Sequence, residues 1–278
     1  MQSKLEKMHN NFILPLITGL SRFIPLTSRY FIRLSYNGTN YHGWQIQPNA
    51  VSIQETLNRD LSIVFGEKIM VTGCGRTDTG VHARLFYAHF DAANKLSGRE
   101  AEILFRINGK LPPDIAIRDI LPVKPDAHSR FDAISRTYEY HIVRRKEVFG
   151  RDLAHYIYGE MDITTMQQAA EILKEYNDFT SFSKVDTDVK TNDCKITEAK
   201  WTEGNGTLDF TITADRFLRN MVRAIVGTLL DVGFRKTSLD EFRRIIESRN
   251  RSKAGTSAPA KGLFLTDVRY PPEIFLPA

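Results

Sequence analysis

The alternation of apolar and polar residues predicts two halves built from the same order of elements. In the first half, apolar residues at every second position predict strands, and apolar residues at helical spacing predict helices. One of these helices runs between Ser52 and Gly66. The order is strand, helix, strand, strand, helix, strand, at residues 30–36, 53–65, 69–72, 84–91, 99–107 and 115–120. This order is typical of the ferredoxin-like βαββαβ unit.

The second half repeats this order with one helix added. Its strands are predicted at residues 137–145, 196–202, 207–214 and 263–270, and its helices at 163–176, at 216–231 and after Ser238. The sequence therefore predicts an α+β fold of two ferredoxin-like, RRM-like halves, each with an antiparallel sheet and helices on one face. We expect an active-site cleft between an N-terminal α/β domain, residues 30–130, and a C-terminal α/β domain with basic helices, residues 131–278. Sheets of this kind often bind single-stranded RNA.

Two interpretations fit residues 1–29, which precede the first predicted strand. Lys4 and Lys7 before the apolar run at 12–20 are features of a secretory signal. Pro15 interrupts that run and no A-x-A-like cleavage site follows it, which favours a flexible extension.

Composition bears on the compartment and the partner. The two cysteines, Cys74 and Cys194, have no metal or redox spacing, which favours a reducing compartment, and we expect a cytoplasmic protein. The net charge is +5, but residues 216–261 hold eleven Lys and Arg against four Asp and Glu, so the rest of the chain is about −2. This basic segment is either a phosphate-facing surface or a pair of ordinary solvated helix faces.

The first candidate site is the glycine-rich stretch TGCGRTDTGVHA, residues 72–83. In an extended segment Arg76 and Asp78 would point to the same side, where the guanidinium would favour an ionised carboxylate. Such a carboxylate suits nucleophilic attack; the alternative is a structural turn in which Asp78 caps a backbone N–H and pairs with Arg76. Residues 78–80 also match the DTG triplet of aspartic proteases, which need two such carboxylates. No second DTG or DSG triplet occurs in the sequence, which argues against a protease.

The second candidate is the predicted helix at residues 216–233. Arg216, Arg219 and Arg223 would form one stripe along it. Gly227 follows Arg223 on the same face, which would leave room for another chain or a ligand to approach. A solvated arginine stripe is the alternative.

The third candidate is HSRFDAISRTYEY, residues 128–140, which interleaves basic and aromatic side chains as base-stacking surfaces do. Arg130, Arg136 and Tyr138 carry this pattern. Tyr138 and Tyr140 would share one face of a strand, and two core-facing tyrosines are the alternative. The sequence has no metal-ligand spacing and no Walker or dinucleotide motif, so we expect no metal and no cofactor.

Seven segments together resemble, in order, those of the tRNA pseudouridine synthase I family (TruA type). The resemblance runs from about residue 30 to residue 271 and rests on YNGTNYHGWQIQPN, GRTDTGVHA, NGKLPPDIAI, HSRF…RTYEY, NDFTSF, MVRAIVGTLLDVG and AGTSAPAKGLFL. The chain departs from the family pattern at a few positions, among them Cys74 and Thr79 around the GRTD motif and Ala127 and Ser129 in the usual FHARF.

The resemblance implies a role for five residues. Asp78 is the catalytic nucleophile, and Arg76 helps to open the stacked target base by taking its place. Tyr138 stacks on the target uracil, Arg223 pairs with the catalytic carboxylate, and Leu263 lines the base pocket. Family members isomerise uridines at positions 38–40 of the tRNA anticodon arm, use no cofactor and act as homodimers.

Physical chemistry is consistent with these roles. A uridine in a stem must be flipped out before chemistry can occur. The carboxylate then helps to break the C1′–N1 bond, by addition at the ribose or at the base or by proton abstraction, and the freed uracil turns and rejoins through C5. Nothing is hydrolysed, so the site must hold the free base and exclude water. The alternative hypothesis is an RNA-binding protein of the same fold that performs no chemistry.

Overall fold

The computed structural model describes residues 27–93, 96, 98–184 and 191–277. The predicted N-terminal extension, including the apolar run considered as a secretory signal, lies outside these residues except for its last three. Of those, Ser28 and Arg29 already belong to the first strand. No helix within the described ranges is long and apolar enough to cross a membrane.

The described residues form nine strands and five α-helices. The strands are β1 Ser28–Tyr36, β2 Thr72–Gly73, β3 His82–Ala92, β4 Ile115–Pro122, β5 Ser135–Val143, β6 His155–Tyr156, β7 Ile196–Glu203, β8 Thr207–Ala214 and β9 Leu263–Arg269. The helices are α1 Ile53–Phe65, α2 Glu100–Lys110, α3 Ile163–Ile172, α4 Met221–Gly233 and α5 Leu239–Glu247. The predicted α+β class and the repeated order of elements are confirmed.

The strands of the two halves join in one sheet with the order β4-β1-β3-β9-β5-β8-β7, and β2 also pairs with β3. Within each half the four main strands follow the same spatial order, β4-β1-β3-β2 in the first and β9-β5-β8-β7 in the second. We expected two separate sheets, but β9 pairs in parallel with the start of β3, at His82↔Phe264 and Ala83↔Leu265. Every other pairing except β5–β6 is antiparallel.

The junction between the halves leaves an opening along β3. At one end of that strand β2 pairs at His89 and Ala88, and at the other end β9 pairs at His82 and Ala83. Strands β2 and β9 therefore share one edge of β3 without meeting. The glycine-rich segment leaves β2 after Gly73 and enters β3 at His82, so it crosses this opening.

Each half has its own hydrophobic core, made where helices cover the sheet. Helices α1 and α2 pack on the first half, and α3, α4 and α5 pack on the second. Tyr138 packs against both cores. On the opposite face of the first half, Phe31 is covered edge-on by Tyr270 and Phe275 from the C-terminal residues.

Both ends of α1 and the start of α5 follow the predicted signals, whereas α2 ends later, α3 ends earlier and α4 begins later than predicted. Ser52 accepts a hydrogen bond from the Glu55 amide, and Gly66 ends α1 in the left-handed region at φ 68°. Ser238 and Glu241 form a reciprocal capping box at the start of α5. The predicted start of α4 at residue 216 is wrong, because Asn220 takes a left-handed conformation at φ 64° and the helix begins at Met221.

Candidate active site

The loop that carries Asp78 is held from behind by close backbone packing. Gly43 lies at φ +84°, and its missing side chain lets the Thr77 carbonyl approach, so that the Trp44 amide donates to Thr77 O at 3.1 Å. The Thr77 hydroxyl also bonds to the Tyr36 hydroxyl at 2.9 Å, and Thr77 is only 7% exposed. Thr77 therefore anchors the loop and leaves the next residue, Asp78, at its surface.

Asp78 faces Arg223 of helix α4. Arg223 Nη1 lies 3.5 Å from Asp78 Oδ2, and the two side chains are 22% and 27% exposed. Arg223 is held in turn by Ala258, whose carbonyl accepts from Arg223 Nε at 2.7 Å and whose amide donates to the Arg223 carbonyl at 2.9 Å. The carboxylate is thus partly open to solvent on one side and held by a fixed guanidinium on the other.

Gly227 serves this arrangement in a way that differs from our interpretation of the sequence. A Cβ at Gly227 would overlap the carbonyl oxygen of Thr256. The room beside the helix is therefore filled by the chain's own segment before β9, and it is not available to another chain or a ligand. That close approach brings Ala258 to Arg223.

Arg76 does not pair with Asp78, which corrects the pairing expected from their spacing. Among the described residues, no carboxylate lies within ion-pair distance of Arg76, and its side chain is exposed. The expectation assumed an extended segment, but β2 ends at Gly73 and the chain turns at Asp78, whose carbonyl accepts from the Val81 amide at 3.1 Å. The partner of Asp78 comes instead from a helix far away in the sequence.

Tyr138 and Tyr140 of strand β5 have different surroundings. Tyr140 is fully buried and its hydroxyl donates to the Pro259 carbonyl at 2.9 Å, so the core-facing interpretation holds for this residue. Tyr138 is half-buried between the two cores, with its ring edge-on to Phe217 at 5.2 Å. Burial raises the pKa of the Tyr138 hydroxyl well above its usual value, and the nearby Cys74 and Asp78 add to that shift.

Leu263 is the first residue of β9 and lies opposite Tyr140 of the neighbouring strand β5. It is 5% exposed and belongs to the core of the second half. The next residue, Phe264, stacks on His82 at 4.5 Å. Leu263 therefore lies in the strand that meets the end of the Asp78 loop.

His82 is a residue that the sequence reasoning missed. The Gly38 amide donates to His82 Nδ1 at 3.0 Å, so the imidazole carries its proton on Nε2, which donates to the Lys261 carbonyl at 3.2 Å. Burial lowers the pKa of His82 and keeps the ring neutral. This one side chain ties the first half to the segment before β9, and a histidine directly after the glycine-rich loop was the available signal.

Arg136 also has a different role from the base-stacking one that we inferred from the sequence. Its guanidinium does not offer a base-stacking surface, because it donates to four carbonyl oxygens: those of Asp215 at 2.7 Å, Ala133 at 3.3 Å, Cys74 at 2.9 Å and Arg130 at 2.6 Å. It thus fastens the start of the Asp78 loop to both halves. Cys74 itself is buried, which raises the pKa of its thiol to about 11 and keeps it protonated.

Comparison with known proteins defines the class first. A family model described as tRNA pseudouridine synthase matches residues 169–271, the stretch that contains Arg223 and Leu263.

Whole-chain relatives then define the family. A protein of Bacteroides thetaiotaomicron named tRNA pseudouridine synthase A is 54% identical over 250 residues, covering 89% of this chain and 92% of the relative. A protein of the same name from Bacteroides fragilis is 55% identical, and the match covers 89% of this chain and 98% of the relative. One from Porphyromonas gingivalis is 52% identical, and the match covers 90% of this chain and 100% of the relative. The chain belongs to the tRNA pseudouridine synthase A family.

Proposed function

We propose that this protein is an isomerase that converts uridine into pseudouridine in tRNA, at positions 38–40 of the anticodon stem-loop. The observation that carries the proposal is the Asp78 carboxylate, held at 3.5 Å from Arg223 on a loop that crosses the opening between β2 and β9. Membership of a family whose members are named tRNA pseudouridine synthase A supports the reaction and the substrate class.

Asp78 is the nucleophile in this proposal. An ionised carboxylate can attack an electrophilic carbon when it is exposed to the substrate and held in one orientation. Arg223 supplies the orientation, since its Nε is fixed by Ala258 while Nη1 faces Asp78. Arg76, exposed and two residues before Asp78, takes the place of the flipped base in the stack.

Tyr138 and Leu263 hold the uracil while it is detached. Tyr138 offers a ring on which a base can stack. Its packing against both cores and the effect of the Asp78 charge on its pKa support this role. Leu263 contributes the apolar wall. Such a pocket is required because the free base must turn without meeting water.

The reaction is a rearrangement within one nucleotide. Attack of the Asp78 carboxylate on C1′ breaks the C1′–N1 bond and the uracil rotates. The bond between Asp78 and C1′ then breaks as the C5–C1′ bond forms, which returns the carboxylate. C5 then loses its hydrogen as a proton, and N1 regains a proton, so the atoms balance without an added reactant. We expect no cofactor for this sequence of steps.

The organisation of the protein is part of the proposal. The hydrophobic cores on either side of Tyr138 are consistent with an N-terminal α/β domain at residues 30–130 and a C-terminal one at 131–278. We expect a homodimer that acts on tRNA in the cytoplasm. Light scattering of the purified protein tests the dimer, which a monomeric mass would contradict.

The function is tested by tritium release from anticodon-arm RNA that carries [5-³H]uridine at position 38, 39 or 40. Loss of the C5 hydrogen releases one tritium for each pseudouridine formed. Release from at least one of these positions, with none from uridine elsewhere in the arm, is the expected result. Tight RNA binding without release would favour the alternative of a non-catalytic RNA-binding protein.

A further inference from the structure

Arg136 gathers three segments of backbone around one guanidinium. Its two terminal nitrogens donate to the carbonyls of Cys74, Arg130 and Asp215, at distances between 2.6 and 2.9 Å. These carbonyls belong to the Asp78 loop, to the linker between the halves and to the turn after β8. Three chain segments that are distant in sequence therefore meet at this point.

Each of these segments places an arginine beside Arg136. Arg76 follows Cys74 by two residues, Arg130 provides one of the carbonyls itself, and Arg216 directly follows Asp215. Arg76 and Arg130 are exposed, and Arg216 is half-buried. Within the described ranges, none of the three lies within ion-pair distance of a carboxylate, and the Arg136 guanidinium donates its hydrogen bonds to carbonyl oxygens.

The four charges act on one another. The pKa of Arg130 is lowered, first by partial burial and then by the positive charges of Arg76, Arg136 and Arg216. Like charges gathered without a counter-charge repel, and the repulsion is relieved when an anion binds among them. Arginine is the side chain best suited to bind a phosphate, because its planar fork donates two parallel hydrogen bonds.

We propose that Arg130 and Arg216 bind the RNA phosphates that flank the target uridine. The inference rests on the proposed function and adds a phosphate site to it. Arg76 is two residues from Asp78, so its backbone lies within about 7 Å of that of the proposed nucleophile, and the positive charges of Arg76 and Arg216 both act on Arg130. Phosphates held there would fix the backbone on both sides of the nucleotide while its base is turned out of the stack.

The first test measures the salt dependence of RNA binding. We compare wild type with Arg130→Ala, Arg216→Ala and the double variant, using the anticodon-arm RNA at several salt concentrations. Each lost phosphate contact reduces the steepness of log K against log[salt] by about 0.7 to 0.9. When the salt rises from about 50 to 200 mM, the variant should therefore lose about threefold less affinity than wild type. Arg118→Ala is the matched control, because Arg118 is an exposed arginine on β4, at the far end of the sheet order.

The second test identifies the phosphates. RNAs with one uncharged methylphosphonate linkage, placed directly 5′ or 3′ of the target uridine, are bound to wild type and to the double variant. If the arginines contact these phosphates, neutralising one weakens wild type several-fold and the double variant much less. A methylphosphonate six nucleotides away should weaken both proteins equally.

These outcomes separate the inference from the proposed function. Slopes for Arg130→Ala and Arg216→Ala equal to that of Arg118→Ala, or equal effects of the flanking methylphosphonate on both proteins, would overturn the phosphate site even if wild type releases tritium. Conversely, suppose that the variants show the predicted slope changes while wild type binds RNA but releases no tritium. That result would support the phosphate site and contradict the proposed reaction. Failure of wild type to bind the RNA would overturn both.

Discussion

Replacing Gly43 by alanine should displace the loop that carries Asp78. Gly43 lies at φ +84°, and a Cβ built there would approach the Thr77 carbonyl oxygen more closely than real Cβ atoms do, with the Asp78 carbonyl carbon 3.1 Å away. The Thr77 carbonyl also accepts from the Trp44 amide at 3.1 Å, so it cannot turn away without losing that bond. The added methyl group therefore pushes directly on the backbone of the proposed nucleophile.

The size of the effect follows from two contributions. A left-handed φ costs a residue with a Cβ about 1–2 kcal/mol of stability. Relief of the overlap requires a shift of roughly half an ångström or more, and a misplacement of about 1 Å at reacting atoms can lower the rate about a hundredfold. We expect Gly43→Ala to lower kcat by about ten- to a hundredfold, in addition to a loss of stability of a few kcal/mol.

Gly66→Ala is the matched control. Gly66 also has a positive φ, 68°, but a Cβ there would meet nothing within 4 Å. Its alanine variant should lose about 1–2 kcal/mol of stability and keep the wild-type kcat. Single-turnover tritium release and urea unfolding are measured on both variants. A folded Gly43→Ala protein with wild-type kcat would refute the reasoning, as would an equal loss of kcat in Gly66→Ala.

The remaining predictions concern three side chains. Arg223→Ala should lower kcat far more than RNA affinity, because Arg223 orients Asp78; equal losses of both would mark it as a phosphate contact instead. Tyr138→Ala should weaken productive binding by about 1–3 kcal/mol through lost stacking, whereas Tyr158→Ala, which changes an 83% exposed tyrosine, should not; kcat/KM separates the two. Burial lowers the pKa of His89 to about 4, with His128 and Arg29 adding to the effect and Asp91 and Asp132 opposing it. His89 therefore takes up a proton at a higher pH in the unfolded chain than in the folded protein. As pH falls from about 6.5 to about 4, the free energy of unfolding should fall by about 3 kcal/mol. His89→Asn should flatten this part of the stability–pH curve, and an unchanged curve would contradict the assignment.

Local signals in the sequence placed most of the element boundaries close to their observed positions. Strand β8 runs from Thr207 to Ala214 as predicted, because its alternation and the Gly-containing turn before it act over neighbouring residues. The caps of α1 are equally local. The Ser52 hydroxyl accepts a hydrogen bond from the amide three residues on, and Gly66 adopts the left-handed conformation that ends the helix. The start of α4 was missed because Asn220 adopts a left-handed conformation that its sequence neighbourhood does not demand.

The site could be predicted only in part, since its geometry depends on contacts between distant segments. The glycine-rich loop marked Asp78, but its spacing suggested Arg76 as the partner. Only the family resemblance implied Arg223, which lies 145 residues away in the sequence. The pairing of β9 with β3 was equally invisible in the periodicity of either strand. Gly227 was recognised as small, but the segment that fills the space beside it is known only from the fold.

The central claim is that Asp78 performs the chemistry, and tritium release by Asp78→Asn tests it most directly. Asparagine keeps the size of the side chain and removes the nucleophilic carboxylate. With anticodon-arm RNA that carries [5-³H]uridine, the account predicts RNA affinity close to that of wild type, because an anionic carboxylate does not neutralise RNA phosphates, and no tritium release in single turnover. Release at the wild-type rate from folded Asp78→Asn protein would contradict the account.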